Sequence, residues 1–317
     1  MIEYSAFVEK PKFHWAFHAH MGFNFFEPPI GEGTAASEEI PAEYCAEEHL
    51  RFDLDLFHML TERLAAAGCN TIVLDIGEAM QYESHPRIAC RGALSKDILR
   101  EEIFNLKMRG IEAIPKLNFS TFRDVWMGEY RSGRSSPAYY GFCEDVIAEV
   151  CEVFGRPRLL HLGMETVCDE RPDVTDVRLA KDSALWWKDL LFLAQTAMHY
   201  GARPWVWSDV FSADPAAFLK RMPRDIVQSV RFFGKGEALE RDRLSCAQLD
   251  REGYDQIPCG CFAPHAPSLA DVTDVLDSTL SEGAHLGYLQ TVSLPTMPHY
   301  RGPLLCAADA IAAAHRA

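Results

Sequence analysis

Positive charge is scarce in this 317-residue sequence. It has 31 lysines and arginines against 46 aspartates and glutamates, which gives a formal net charge of −15 at pH 7. A protein that holds the phosphate backbone of a nucleic acid needs a basic surface, so the composition argues against that class. Long apolar runs are also lacking, and none approaches the roughly 18 residues that a membrane-spanning helix needs. The sequence therefore predicts neither a nucleic-acid partner nor a membrane span.

The common cofactor and nucleophile motifs are missing as well. The sequence contains no Gly-x-Gly-x-x-Gly dinucleotide fingerprint, no phosphate-binding P-loop and no Gly-x-Ser-x-Gly nucleophile elbow. Its ten cysteines are scattered through a chain large enough to bury its own core, a pattern typical of reduced intracellular thiols. The first residues lack the basic-then-apolar order of a secretory signal peptide. We therefore expect a cytoplasmic protein without a bound cofactor.

Apolar segments rich in β-forming residues alternate with helical patterns along the chain. Several of these segments are continuous apolar runs, as expected for parallel strands that are covered on both faces. The eight predicted strands are residues 13–19, 71–76, 112–117, 159–164, 203–208, 225–232, 254–260 and 285–292. Eight strands separated by helices predict a (β/α)8 TIM barrel, and their even spacing favours closure over a doubly wound open sheet.

The helical segments between the predicted strands have recognisable ends. Ser95 is a suitable N-cap for one of them, and Gly110 is a suitable stop after its last turn. No linker or repeat marks a second domain, so we expect a single barrel over residues 1–317. A long irregular loop, 21–45, follows the first strand. In a barrel this loop lies at the C-terminal face, where active sites are built.

The barrel prediction places function just beyond the carboxyl ends of the strands. Carboxylates and aromatic residues dominate these positions on the first five strands. This mixture suits a sugar, because aromatic faces stack on pyranose C–H groups while carboxylates move protons. The predicted catalytic carboxylates are Glu165, Asp209, Glu78 and Asp75. The predicted substrate-binding residues are His20, Lys116, Asn118, Thr166, Trp207, Arg231 and Gln290.

Several of these residues also have a structural interpretation. Glu165 can be a hydrogen-bonded structural carboxylate, and Asp209 can be the first residue of the next turn. Asp75 and Glu78 follow the same strand, and the alternation of side chains does not require both to face the pocket. Trp207 lies near the end of its strand, which makes it a candidate for the pocket wall or for the barrel core.

A His-x-His pair in the first strand suggests a different chemistry. His18 and His20 have both imidazoles on the same side of the strand, which is the spacing of the first two metal ligands in amidohydrolase barrels. Further ligands would come from His161, Asp209 or His285. However, His161 precedes the end of its strand and His285 begins a strand at the opposite end of the barrel. The set is incomplete, so the sequence predicts no metal site and a metal-dependent hydrolase stays an alternative.

Two segments resemble the family 20 β-N-acetylhexosaminidases. Residues 111–121, IEAIPKLNFST, are similar to the third-strand segment of that family, Ile-Pro-Glu-Ile-Asp-Met-Pro-Gly-His. Residues 161–167, HLGMETV, resemble its fourth-strand segment, His-x-Gly-Gly-Asp-Glu-Val. In that family the fourth-strand Asp orients the acetamido group of the substrate, and the Glu that follows is the general acid. The resemblance implies a glycoside-hydrolase barrel.

Carried over position by position, the resemblance assigns four residues of this chain. Glu165 stands at the family's fourth-strand Asp, and Thr166 stands at its general acid. In the third strand, Lys116 stands at the family's Glu and Asn118 at its Asp. Threonine does not protonate a glycosidic oxygen near neutral pH, so the resemblance implies a rearranged set of carboxylates or a site that only binds sugar.

A second resemblance spans roughly residues 70–210 and supports the same fold. Its segments look like an uncharacterised group of related bacterial barrel proteins, some of them labelled glycoside-hydrolase-like. The segments are ESHPRIACRGALSKDILREEI, IPKLNFSTFRDVWMGEY, SALWWKDLLFLAQ and GARPWVWSDV. This resemblance implies the barrel without implying a particular reaction.

The sequence thus predicts a carbohydrate-active barrel, and the leading hypothesis is a glycoside hydrolase that acts by carboxylate acid–base chemistry. A barrel that binds sugar without cleaving it is a second hypothesis, consistent with Thr166 and Asn118. A metal-dependent hydrolase that uses His18 and His20 is a third. The expected ligand is a small-molecule carbohydrate, and no feature of the sequence favours one oligomeric state.

Overall fold

The computed structural model of this chain describes residues 13–26, 44–121, 123–166 and 183–315. Most of the predicted loop 21–45 therefore lies outside the described residues. No helix in the described ranges combines the length and the apolar character needed to cross a bilayer.

The strands lie where the sequence predicts them. In the described ranges they are β1 (His14–His20), β2 (Thr71–Asp75), β3 (Glu112–Lys116), β4 (Leu159–His161), β5 (Arg203–Trp207), β6 (Val227–Ser229), β7 (Arg231–Phe232), β8 (Cys259–Cys261) and β9 (Gly287–Pro295). The predicted sixth strand, 225–232, contains both β6 and β7. Neighbouring strands are parallel, as their apolar character on both faces predicts.

The sheet closes into a barrel through its sixth strand. The strands follow one another in the order β6-β5-β4-β3-β2-β1-β9-β8-β7. The two ends of this order, β6 and β7, are separated along the chain only by Val230. β6 pairs with β5, whereas β7 pairs with β8. One interrupted strand therefore joins both ends of the sheet, which confirms the (β/α)8 prediction over the doubly wound alternative.

Helices follow the strands and cover the outside of the barrel. The α-helices of the described residues are α1 (Leu54–Ala66), α2 (Lys96–Met108), α3 (Pro137–Val153), α4 (Ser183–His199), α5 (Asp209–Ala213), α6 (Pro215–Arg221), α7 (Glu237–Arg251), α8 (Leu269–Asp277) and α9 (Arg301–Ala314). Short 3-10 helices cover Gly77–Ala79, Pro86–Ile88, Val125–Gly133 and Pro298–Tyr300. The Ser95 side chain accepts a hydrogen bond from the Ile98 N–H and caps α2, as predicted. Gly110, with φ of +78°, follows the last turn of this helix.

Side-chain alternation divides the buried residues into two cores. One core lies between the strands and the helices and includes Phe17 and Leu74. The other fills the barrel interior and includes Ile114, Trp205 and Leu289. Polar residues of the same inward parity occupy the carboxyl ends of the strands. They therefore lie directly above an apolar plug, as in other (β/α)8 barrels.

Candidate active site at the barrel mouth

A buried charged cluster occupies the carboxyl ends of β1, β2 and β3. It consists of His18, His20, Asp75 and Lys116, each at most 2% exposed. Strand register brings them together, because His20 pairs with Asp75 and Asp75 pairs with Lys116. Lys116 Nζ donates a hydrogen bond to Asp75 Oδ2. The same oxygen lies 3.6 Å from His18 Nε2 and 3.4 Å from His20 Nδ1.

Burial and the ion pair fix the charges of this cluster. Burial lowers the pKa of His18 well below its usual range and also lowers the pKa of His20. Burial alone would raise the pKa of Asp75, but Lys116 and the two histidines hold it well below its usual range. Near pH 7 the imidazoles are therefore neutral and Asp75 is ionised. Such groups can accept hydrogen bonds or bind a metal ion.

Glu78 holds the start of loop 21–45 in place. Its Oε1 accepts hydrogen bonds from the backbone N–H of Phe23 at 2.7 Å and of the next residue at 3.0 Å. A side chain at position 22 would clash, because a Cβ on Gly22 would lie 2.5 Å from the backbone oxygen of Ile76 and 2.8 Å from Glu78 Oε2. Phe23 packs edge-on against His20, with ring centroids 5.1 Å apart. Glu78, one of the predicted catalytic carboxylates, therefore anchors the loop backbone beside the charged cluster.

The Glu78 carboxyl should make stability depend on pH. Burial raises its pKa from the ordinary value of 4.5 to about 7. Between these values the folded chain holds a proton that the unfolded chain has lost, so this contribution to stability falls as the pH rises. From about pH 5 to about pH 8, we expect the wild type to lose roughly 2–3 kcal/mol relative to Glu78→Gln. Urea unfolding at both pH values measures this difference, and a constant difference would contradict it.

Glu165 is a buried carboxylate in which one oxygen is hydrogen-bonded and the other has no hydrogen-bond partner among the described residues. It follows β4 and is 1% exposed. Its Oε1 accepts a hydrogen bond from Asn118 Nδ2 at 2.9 Å, and the Arg123 guanidinium approaches to 4.0 Å. Its Oε2 has no hydrogen-bond partner among the described residues. Because an unsatisfied buried carboxylate oxygen is costly, this atom marks a place for water or a ligand.

The backbone just before Glu165 is unusual and makes a matched test possible. Gly163 has φ of +69°, and a Cβ there would lie 2.7 Å from Asn118 Oδ1. We expect Gly163→Ala to destabilise the fold by about 2–5 kcal/mol, because left-handed backbone strain of about 1–2 kcal/mol adds to overpacking of about 1–3 kcal/mol. Gly201 has φ of +87° and no atom within 4 Å of its Cβ position, so Gly201→Ala should show only the strain. Equal losses in urea unfolding would contradict this expectation.

Asp209 and Arg231 form a second ion pair at the mouth. The Arg231 guanidinium donates hydrogen bonds to both oxygens of Asp209, with an Nε–Oδ1 distance of 3.0 Å. Asp209 Oδ2 also accepts the backbone N–H of Thr166 at 3.2 Å. The guanidinium lies 5.3 Å from the centre of the Trp207 ring. Both oxygens of Asp209 are thus engaged, and the pair joins the segment after β4 to β7.

Trp207 and His161 line the barrel interior near the charged cluster. Their ring centroids are 4.5 Å apart, and Trp207 also lies 6.1 Å from His18. Burial lowers the pKa of His161 well below its usual range, so its imidazole is neutral. Trp207 Nε1 and His161 Nε2 have no hydrogen-bond partner among the described residues. Both atoms are buried polar groups that could bind water or a ligand hydroxyl in the barrel interior.

A cavity of about 620 Å³ opens at the mouth beside β7, β8 and β9. Its wall includes Tyr44, Phe233 and Phe262, and each phenylalanine is 39% exposed. Thr291 also lines the cavity, and its Oγ1 lies 2.8 Å from His18 Nδ1, so this residue lies between the cavity and the charged cluster. The sequence prediction omits these aromatic residues. Their signal is simple, because Phe233 and Phe262 each follow the last residue of a strand.

Gln290, a predicted substrate-binding residue, is turned away from the mouth. Its amide nitrogen donates to the carbonyl oxygens of Gly260 at 3.1 Å and Thr291 at 3.0 Å. Tyr288 and Val292, which share its strand parity, pack in the outer core between strands and helices. Its amide therefore donates hydrogen bonds to the backbone of β8 and β9 and does not face the mouth.

The histidine pair of β1 gains a third potential metal ligand in the structure. One ligand atom from each of His18, His20 and Asp75 lies within 4.8 Å of the other two. The further ligands considered from the sequence do not belong to this group; they are His161, Asp209 and His285. The sequence analysis did not consider Asp75 on the adjacent β2, which is the third potential ligand in the structure. The register of β1 and β2 brings this ligand to the histidines, because His20 pairs with Asp75.

Solved structures with a similar fold are β-N-acetylhexosaminidases. The enzyme from Bacteroides fragilis has a TM-score of 0.63 and 15% identity, covering 95% of this chain and 66% of that one. A mutant Streptomyces plicatus β-hexosaminidase in complex with its product GlcNAc has a TM-score of 0.61 and 15% identity, covering 94% and 64%. The Flavobacterium johnsoniae chitobiase has a TM-score of 0.59 and 16% identity, covering 83% and 46%. This chain shares the (β/α)8 barrel fold of these enzymes.

The chain spans about half to two thirds of the length of these enzymes. No protein-family model and no curated protein matches its sequence. The predicted resemblance to family 20 is thus confirmed for the fold. At the position of that family's general acid, Thr166 is 1% exposed and its hydroxyl has no hydrogen-bond partner among the described residues.

Proposed function

We propose that this barrel hydrolyses a small glycoside at its mouth and that Glu165 is the carboxylate that contacts the substrate. The supporting observation is the buried side chain of Glu165. One of its oxygens accepts a hydrogen bond from Asn118, and the other has no hydrogen-bond partner among the described residues. The other predicted catalytic carboxylates have different contacts. Asp75 is paired with Lys116, Asp209 is paired with a guanidinium, and Glu78 binds loop backbone.

The charges and polar groups of the barrel mouth favour a neutral sugar as the substrate. The carboxylates of the mouth have cations beside them, from Lys116 near Asp75 to Arg231 at Asp209. Neutral imidazole and indole nitrogens supply hydrogen-bonding groups for hydroxyls, and the aromatic cavity supplies faces for C–H groups. The Streptomyces plicatus hexosaminidase, which has a similar fold, binds GlcNAc. An N-acetylated hexoside is therefore our first candidate substrate.

The proposed chemistry assigns proton transfer to Glu165. Glycoside hydrolysis needs an acid that protonates the leaving oxygen and a water molecule that adds to the oxocarbenium-like carbon. Thr166 cannot supply the proton near neutral pH, so Glu165 is our acid–base residue. It gives its proton to the leaving oxygen as the glycosidic bond breaks, and it takes one proton back from the water that forms the new C–O bond. Asp209 contacts the backbone of the residue that follows Glu165, and we assign it electrostatic support of the developing positive charge.

A sugar-binding barrel without hydrolysis is the second candidate, and Thr166 at the position of the family acid favours it. The test incubates the purified chain with nitrophenyl glycosides, including the N-acetylglucosaminide, and measures melting temperature with the matching free sugars. Release of nitrophenol supports hydrolysis. Sugar-dependent stabilisation without release supports binding alone. If the sugars produce neither effect, both proposals fail.

A further inference from the structure

We propose that His18, His20 and Asp75 form a binding site for a divalent cation of the zinc class. The three residues are at most 2% exposed, and their ligand atoms lie within 4.8 Å of one another. Asp75 Oδ2 is 3.6 Å from His18 Nε2 and 3.4 Å from His20 Nδ1. Ligand atoms about 2.0–2.2 Å from a tetrahedral zinc ion lie about 3.3–3.5 Å apart. The observed separations therefore already approach those of a bound ion.

The nitrogen atoms of this site are available and oriented. His18 Nε2 and both ring nitrogens of His20 have no hydrogen-bond partner among the described residues. His18 Nδ1 lies 2.8 Å from Thr291 Oγ1, and a hydrogen bond from Nδ1 leaves the Nε2 lone pair directed at Asp75. Metal-binding histidines commonly have such a partner on the second nitrogen. The His20 ring is held between Phe23 and Phe25, with centroids 5.1 and 5.3 Å away.

The donor set also defines which cation fits and what it could do. Two imidazoles and one carboxylate are borderline ligands that suit zinc better than calcium or magnesium. Three protein ligands leave a fourth position for water or a sugar hydroxyl, as in catalytic rather than structural zinc sites. Thr291 contacts His18 and also lines the 620 Å³ cavity at the mouth. The site does not depend on the proposed role of Glu165.

Lys116 is the internal competitor of the cation. Its ammonium donates to Asp75 Oδ2, the same oxygen that the histidines face. An entering cation must share or displace this contact, and the positive charge of Lys116 opposes it. Removing the ammonium should therefore tighten metal binding by about tenfold or more. This expectation separates a true cation site from an accidental grouping of side chains.

The experiment titrates metal-stripped protein with Co²⁺, followed by visible absorption, and with Zn²⁺, followed by calorimetry. We expect one equivalent to bind the wild type with the intense bands of tetrahedral Co²⁺, and Lys116→Met to bind more tightly. His20→Ala should abolish binding. His14→Ala is the matched control, because His14 is a buried histidine of the same strand that contacts Thr71 Oγ1 at 2.9 Å.

Circular dichroism and melting temperature establish that each variant is folded, and His20→Gln replaces His20→Ala if the latter is not. Failure of the wild type to bind Co²⁺ or Zn²⁺ overturns the proposal. Binding by Lys116→Met alone also overturns it, since the lysine would then be the permanent occupant. Binding that survives loss of His20 places the ion elsewhere and has the same consequence. Hydrolytic activity is not used in the readout, so failure here leaves the proposed function standing.

Discussion

Replacing Glu165 with glutamine is expected to lower kcat on the cleaved aryl glycoside by about 10²–10⁴-fold, the usual contribution of a general acid–base group. Glutamine keeps an oxygen that can accept from Asn118 Nδ2, so the side chain should hold its place while losing the ability to donate a carboxyl proton. KM should change little, because the hydrogen bond that orients the residue remains. Steady-state kinetics with the wild type and the variant measure both constants.

Glu102→Gln is a suitable control for this loss of activity. Glu102 is also a buried carboxylate, at 6% exposure, and its Oε2 lies 2.9 Å from His58 Nε2 in the layer of α1 and α2. Its replacement should leave kcat unchanged. If Glu165→Gln is folded and retains more than about a tenth of the wild-type kcat, Glu165 is not the acid–base residue.

Replacing Asp75 with alanine is expected to destabilise the fold by about 3–5 kcal/mol. The change leaves the Lys116 ammonium fully buried beside two neutral imidazoles, with its carboxylate partner removed. An uncompensated buried charge is among the most destabilising defects that a single substitution produces. Urea unfolding near pH 7 measures the loss. Asp97→Ala, at an aspartate whose side chain is 93% exposed, is the surface control and should change stability by less than about 0.5 kcal/mol.

A double substitution separates the ion pair from the packing around it. Asp75→Ala combined with Lys116→Met removes both charges and should recover part of the stability that Asp75→Ala loses. The coupling energy of the pair is the loss in the double variant minus the sum of the losses in Asp75→Ala and Lys116→Met measured separately. A loss below about 1 kcal/mol in Asp75→Ala, or no recovery in the double variant, would show that the pair contributes little.

The fold could be predicted from the sequence because parallel strands in a barrel are buried on both faces. Their apolar runs stand out against amphipathic helices that end at glycine, as α2 does at Gly110. The interruption of the sixth strand at Val230 could not be predicted. It arises because β6 and β7 pair with different neighbours, and pairing is a property of the closed sheet.

The candidate site was predicted in position more than in chemistry. Strand ends locate Glu165 and Asp75 at the mouth, but the ion pair of Asp75 with Lys116 depends on the register of two strands that are 41 residues apart. Side-chain parity could have excluded Gln290, since Leu289 and Thr291 on either side of it face the barrel interior and the cavity. The aromatic residues of the cavity were missed, although Phe233 and Phe262 each directly follow the last residue of a strand.

The apolar plug of Ile114, Trp205 and Leu289 has a consequence for how a ligand reaches the site. It closes the barrel below the charged cluster, so the described residues leave no channel along the barrel axis. A ligand beside Glu165 therefore approaches from the side of the mouth, and a polysaccharide substrate would lie across the mouth instead of threading through the barrel. For the proposed hydrolysis, the loops around the mouth, and not the barrel interior, decide between internal and terminal glycosidic bonds.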